Sequence, residues 1–377
     1  MQHDREPPIL ARADFSTGPG VPTHAEAPPE GRSLAGRMLP KLLISVVLGA
    51  LFAWLAARGG VPLVPPMAAF ASVRPWAVPV YVGTLLVLHY FRASRWRFLI
   101  APVKRVPLRE VLLLNWIGFF AIFILPLRIG ELARPALTKL RQGVPISAGF
   151  GTVAVERVLD GLLTSLCVAF ALVALPRRAT LDPIARHLPT YGYAALTLFS
   201  CAFIALGLFL WQRRFAVRLT EWGAGLISPR LGRLLAEKVG NVADGLRSIG
   251  SLPLAAAFLF ESLAYWGVNA LGVWLLGRGV GLPLEFGHAV AIMGVLAIGI
   301  LLPTGPGLFG NFQLAIAACL KLFFPESVVA TQGALFVFLL YILQSAVMVL
   351  AGVVPLYALH LRLSDLVRIS TDPERVS

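Results

Sequence analysis

Apolar residues in this chain fall into long runs separated by tight clusters of charge. Six runs are long enough to cross a bilayer as helices: Leu39–Ala57, Pro75–Phe91, Ile146–Leu175, Leu188–Trp211, Pro253–Leu276 and Val328–Leu356. A helix needs roughly 20 such residues for a hydrocarbon core about 30 Å thick, and the runs lack the ten-residue alternation of a membrane β-barrel. Two further runs do not fit a simple crossing. Val111–Leu127 holds 17 uncharged residues and is followed at once by Arg128, Arg134, Lys139 and Arg141. Phe286–Leu320 is 35 residues without a formal charge. As one helix that would be about 52 Å, so it must break.

The breaks are visible. Pro126 and Gly130 stand where the first run meets its charges, and Pro303, Gly305, Pro306, Gly307 and Gly310 interrupt the second. Proline removes a backbone donor and glycine permits a turn, so these residues are the expected hinges. The first segment is expected to dip in, turn and return along Glu131–Arg141, with an amphipathic helix lying on the membrane surface as the alternative. Either a full crossing or a dip suits the second. The predicted fold class is therefore an all-α polytopic membrane protein with about six full spans and two broken or re-entrant helix pairs. The order span, span, broken pair, span occurs twice with opposite orientation. That is the form of an inverted repeat, with halves at about 38–176 and 187–358, and paired interrupted segments in such a fold point to the binding site.

Composition agrees with this picture. The 377 residues are 57% hydrophobic and only 14% charged, with a mean hydropathy of +0.78, which excludes a water-soluble domain. A net charge of +14 would suggest nucleic acid in a soluble chain. Here the expected topology puts 25 of the 33 basic residues on one side. That is the positive-inside pattern, so no nucleic-acid partner is expected and both termini are expected to be cytoplasmic, in an inner cell membrane. The proline-rich stretch 1–37 reads as a disordered tail, 213–250 as a cytoplasmic loop with surface helices, and 359–377 as a second cytoplasmic tail.

Charge inside the membrane is the strongest chemical signal. Arg157 lies within a predicted span with Glu156 and Asp160 beside it, and a central arginine costs about 2.5–3.5 kcal/mol on insertion scales. It is either ion-paired to those two acids for structure or it receives an anionic substrate. Arg128 and Arg134, with Glu131 between them, suit phosphate, because guanidinium makes paired contacts with phosphate oxygens. Anchoring to anionic lipid at the surface is the alternative. On a helix Glu131, Arg134, Thr138 and Arg141 share one face, and Leu132, Ala136 and Leu140 form the other. Asn311 and Gln313 start the segment after the second break, where free helix amides favour negative charge or where the two side chains cap the helix. Glu261 is a candidate proton relay, or a buried acid bonded to a neighbour. No Walker loop, nucleophile elbow or zinc-ligand spacing is present, so neither metal nor cofactor is expected.

The stretches RIGELARPALTK at Arg128–Lys139, VERVLDGL at Val155–Leu162 and LPTGPGLFGNFQ at Leu302–Gln313 resemble the lysylphosphatidylglycerol synthase transmembrane-region family, over about residues 38–358. That family includes the flippase half of the multiple peptide resistance factor and stand-alone flippase-like proteins. The resemblance implies roles for Arg128, Gly130, Glu131, Arg134, Glu156, Arg157, Asp160, Pro303, Pro306, Gly307 and Gly310. Where members usually carry an acid after the last glycine motif, this chain has Gln313. The soluble aminoacyl-transferase domain of the full-length factor is not represented, so lipid aminoacylation is not implied. The expected function is that of a lipid flippase, not an enzyme, moving an anionic phospholipid or lipid-linked intermediate between leaflets. The alternative is a non-transporting subunit that docks a glycosyltransferase or lipid synthase. Membrane lipids are the expected partners, with a membrane enzyme and a second copy as further candidates.

Overall fold

A computed structural model describes residues 34–58, 62–178, 180, 182–211, 218, 221–222, 228–229, 251–302, 305–363 and 365–367. The expected tail over residues 1–33, most of the 213–250 loop and Pro303 lie outside the described residues. All regular structure among the described residues is helical: α1 (Leu34–Arg58), α2 (Ala77–Ser94), α3 (Trp96–Ile100), α4 (Leu108–Ile124), α5 (Ala133–Gln142), α6 (Ile146–Ala174), α7 (Pro183–Trp211), α8 (Leu252–Gly279), α9 (Phe286–Gly299), α10 (Asn311–Phe323) and α11 (Ala334–Ala358), with short helical turns between them. The chain is a polytopic helical membrane protein.

Six segments are long and apolar enough to cross a membrane, within α1, α6, α7, α8, Pro306–Phe323 and Glu326–Ala358. This set differs from the expected one at two places. The expected span Pro75–Phe91 forms α2, but His89 and Arg92 lower its apolarity, and both side chains serve the interior. Pro306–Phe323 is apolar, yet its helical part, α10, has 13 residues, about 20 Å, too short to cross alone.

The first break folds back on itself. Leu125 is extended, Pro126 opens a tight helical turn over Pro126–Leu132, and α5 follows until Gly143 ends it at φ 64°. A Cβ on Gly130 would stand 2.1 Å from the Ala121 backbone carbon, so only glycine lets this turn lie against α4. Further along, Gly118 of α4 sits beside the Arg134 side chain. The first part of α5 is enclosed on both faces: Arg134 and Thr138 are buried together with Ala136 and Leu137, and exposure begins only at Leu140 and Arg141, unlike a helix lying on the membrane surface.

The second break has the same plan. After α9 the chain passes Gly305, which lies against Gly49 of α1, then Pro306 and Gly307 at φ 70°, and restarts at Gly310 with φ 84°. Helices α2 and α8 pack antiparallel, with Ala77 at Gly279 and Arg95 near Ser262. Phe120 of α4 packs on Gly352 of α11, and Gly294 of α9 on Val168 of α6. At the junction of α6 and α7, Lys321 Nζ donates to Asp182 Oδ2 at 2.5 Å, and Asp182 Oδ1 accepts from the Ile184 and Ala185 amides. Burial works against this carboxylate, but Lys321 and the two amides hold its pKa below the ordinary value.

Candidate functional site

Charged side chains from the α2–α3 join, α5 and α6 converge beside neutral side chains of α4 and α8. Arg95, at the join of α2 and α3, is fully buried and clasps Asp160 of α6 with both nitrogens, at 2.7 and 2.6 Å. The same guanidinium donates to Glu156 Oε1 at 2.9 Å and Ser262 Oγ of α8 at 3.2 Å. Arg134 of α5 completes the set, donating to Glu156 Oε2 at 2.6 Å and to Asn115 of α4 at 2.8 Å. Trp266 Nε1 donates to Asp160 Oδ1 at 3.0 Å. Two arginines and two carboxylates balance, and the acids' oxygens are satisfied, as buried ions require.

This arrangement goes against the alternative in which Arg157 pairs with its two neighbouring acids. Glu156 and Asp160 are clasped by Arg95 and Arg134, and Arg157 is left over. The Arg157 Nε is buried without a hydrogen-bond partner, and no carboxylate lies within ion-pair distance among the described residues. Its side chain lines a cavity of about 140 Å³ together with His89 and Arg92 of α2, Arg128 of the first turn, Asp160, Asn269, Gln344 and an apolar wall that includes Phe119, Phe123 and Phe312. Arg92 also has no ionic partner among the described residues, and its guanidinium carbon lies 4.0 Å above the Phe119 ring centre. Arg128 is held at φ 59°, a conformation that costs a non-glycine residue about 1 kcal/mol or more. There it pairs with Glu131 at 2.5 Å and donates to the Ile300 carbonyl at the end of α9, tying one break to the other. The cavity is therefore cationic, with Arg92 and Arg157 in surplus over a neutral network.

The other expected site residues lie elsewhere. Asn311 donates to the Gly299 carbonyl at 2.5 Å, and Gln313 Oε1 accepts the Gly310 amide at 2.8 Å, so both hold the second break together and neither lines the cavity. Glu131 reaches a much smaller void beside Arg157. Glu261 accepts from Ser94 Oγ and from Arg97 at 2.8 Å, outside the cavity. Three residues were missed by sequence reasoning: His89, Arg92 and Arg95. Arg92 and Arg95 were counted as loop charges after a span. Their spacing with His89, three residues apart, was the available signal, since i, i+3 and i+6 share a helix face.

The profile of the lysylphosphatidylglycerol synthase TM region matches residues 42–358 of this chain. A curated relative is the glycosyltransferase AglD of Haloferax volcanii, 24% identical over 274 residues that cover 66% of this chain and 43% of that protein. The chain thus spans less than half the length of that relative. No solved structure matches. The chain belongs to the lysylphosphatidylglycerol synthase transmembrane-region family.

Proposed function

We propose that this protein moves a lipid with an anionic headgroup, a phospholipid or lipid-linked intermediate, between the two leaflets, without changing it covalently. The observation that carries this reading is the Arg157 guanidinium. It faces a cavity bounded by both broken segments, its Nε has no hydrogen-bond partner and no carboxylate lies within ion-pair distance of it among the described residues, while the neighbouring Glu156 and Asp160 are already bonded to Arg95 and Arg134. An arginine kept inside a membrane protein without a structural partner has a functional reason. A phosphate group supplies the anionic partner that Arg157 and Arg92 lack, and the apolar wall suits the upper acyl or prenyl carbons. Both termini are cytoplasmic in this reading. The test is reconstitution: proteoliposomes containing the full chain should move fluorescent phosphatidylglycerol between leaflets, and Arg157→Gln should abolish the movement.

The likeness to a protein named a glycosyltransferase favours a second reading, a membrane subunit that docks such an enzyme. In that case no tested lipid, native extracts included, moves in proteoliposomes, and a transferase co-purifies with the chain from its own membranes.

A further inference from the structure

We propose that His89 takes up a proton when an oxyanion headgroup fills the cavity, so that anion and proton are held together. The inference rests on the anion-site reading above and adds to it a coupling ion.

His89 belongs to α2, is 5% exposed, and its Nδ1 is buried with no hydrogen-bond partner. It lines the same cavity as Arg157, whose Nε is orphaned in the same way. Buried nitrogens are normally satisfied, and although the Nε atoms of Arg95 and Arg97 also lack partners, those residues hold carboxylates with their other nitrogens and do not line the cavity, whereas His89 and Arg157 bring their orphaned nitrogens to one small space. The charged and titratable groups that line the cavity with His89 come from several elements. Arg92 stands one turn along α2, Arg128 comes from the first break, Arg157 and Asp160 from α6, and Tyr265 from α8. Asp160 is committed to Arg95 and Trp266, and α4, α9, α10 and α11 bring only neutral residues to the cavity.

The empty cavity is thus net positive, and a second positive charge on the imidazole is opposed by the arginines. An oxyanion reverses that balance. Once its charge is set among the arginines in a cavity of about 140 Å³, it lies within Coulomb reach of His89 and offers an acceptor for an imidazolium N–H. Histidine is the side chain whose ordinary pKa lets such a change act near neutral pH. The proton comes from solution and leaves with the anion, so no bond is broken and no co-reactant is needed. Proton uptake of this kind would link lipid movement to the transmembrane proton gradient.

The experiment uses the detergent-purified full chain and dihexanoyl phosphatidylglycerol, a soluble lipid whose phosphodiester does not titrate near neutral pH. Binding is followed by calorimetry in two buffers of different ionisation enthalpy, between about pH 6 and 8. Wild type should take up roughly one proton per lipid, with affinity falling about tenfold per pH unit toward the alkaline end. His89→Gln should bind more weakly, with little proton uptake and a flat pH profile. Sulfate separates the ligand's source: uptake with both ligands assigns the site to oxyanions in general, and uptake with the lipid alone assigns it to the headgroup. Lipid binding by wild type without proton uptake would overturn the inference and leave the anion site intact. Uptake undiminished in His89→Gln would also overturn it and transfer the proton to Asp160. Absence of any binding by wild type would fail the anion-site reading itself, and the inference with it.

Discussion

Replacing Arg95 with methionine tests the ion network most severely. Methionine roughly keeps the length of the side chain but removes the clasp on Asp160 and one hydrogen bond to Glu156. Glu156 then keeps Arg134 and Asp160 keeps only the neutral Trp266 Nε1, at a site where Glu156 is fully buried and Asp160 is 7% exposed. Breaking a buried pair by removing one partner costs about 3–5 kcal/mol, because the orphaned charge keeps its desolvation penalty. At about 2 °C per kcal/mol for a chain of this size, the midpoint of thermal unfolding in detergent should fall by about 6–10 °C. Adding Asp160→Asn restores charge balance around Glu156 and Arg134 and should recover most of the loss. Arg157→Gln is the contrast. It removes a guanidinium without a partner and should shift the midpoint by no more than about 2 °C, as uncoupled substitutions do. Scanning fluorimetry on the purified variants reads all four proteins. Equal destabilisation by Arg95→Met and Arg157→Gln would refute the assignment of one arginine to structure and the other to the cavity.

Other expectations follow from single contacts. Gly130→Ala should abolish folded yield, since its Cβ would meet the Ala121 backbone at 2.1 Å, whereas Gly118→Ala, facing the Arg134 Cβ at 3.0 Å, should cost far less; size-exclusion profiles compare them. Glu261→Gln should lower stability by about 1.5–3 kcal/mol through loss of its charged bonds to Arg97 and Ser94. Lipid movement per folded molecule should survive it, and loss of movement at unchanged stability would instead mark a proton relay. Asp182 has a depressed pKa in the fold, so its pairing with Lys321 stabilises above the ordinary carboxylate pKa and is lost as pH falls through the folded value. Lys321→Met should accordingly flatten the acid limb of the stability curve. Cysteines placed at Ala68 and Gly281 should react with an impermeant thiol reagent outside intact cells, and one at Arg141 should not.

Much of the scaffold was legible because the bilayer imposes it. A run of 35 uncharged residues is too long for one crossing, and Pro306 with Gly307 and Gly310 breaks it where a sequence reading places the break. The turn at Pro126 and Gly130 was legible for another reason, the charges of Arg128, Arg134, Lys139 and Arg141 directly after a run of 17 uncharged residues. What sequence reasoning missed was pairing across distance. Arg157 has acids at its own flanks, yet helix geometry sends Glu156 and Asp160 toward Arg95 and Arg134, which lie 61 and 22 residues away from Glu156 along the chain. Local spacing says which residues share a face and says nothing about what that face meets. Loop charge was the other trap. Positive-inside counting treats every basic residue after a span alike, whereas Arg92 and Arg95 continue the face of His89 into the interior. Asn311 and Gln313 illustrate the converse: polar residues at a helix start answered the needs of their own backbone.

The central claim is that Arg157 holds an anionic headgroup, and lipid that stays with the protein tests it most directly. Native mass spectrometry of wild type and Arg157→Gln, purified in parallel from the same membranes, should find an anionic lipid bound to the first and absent from the second, with both equally folded. The same anionic lipid retained at equal occupancy by Arg157→Gln would contradict the account.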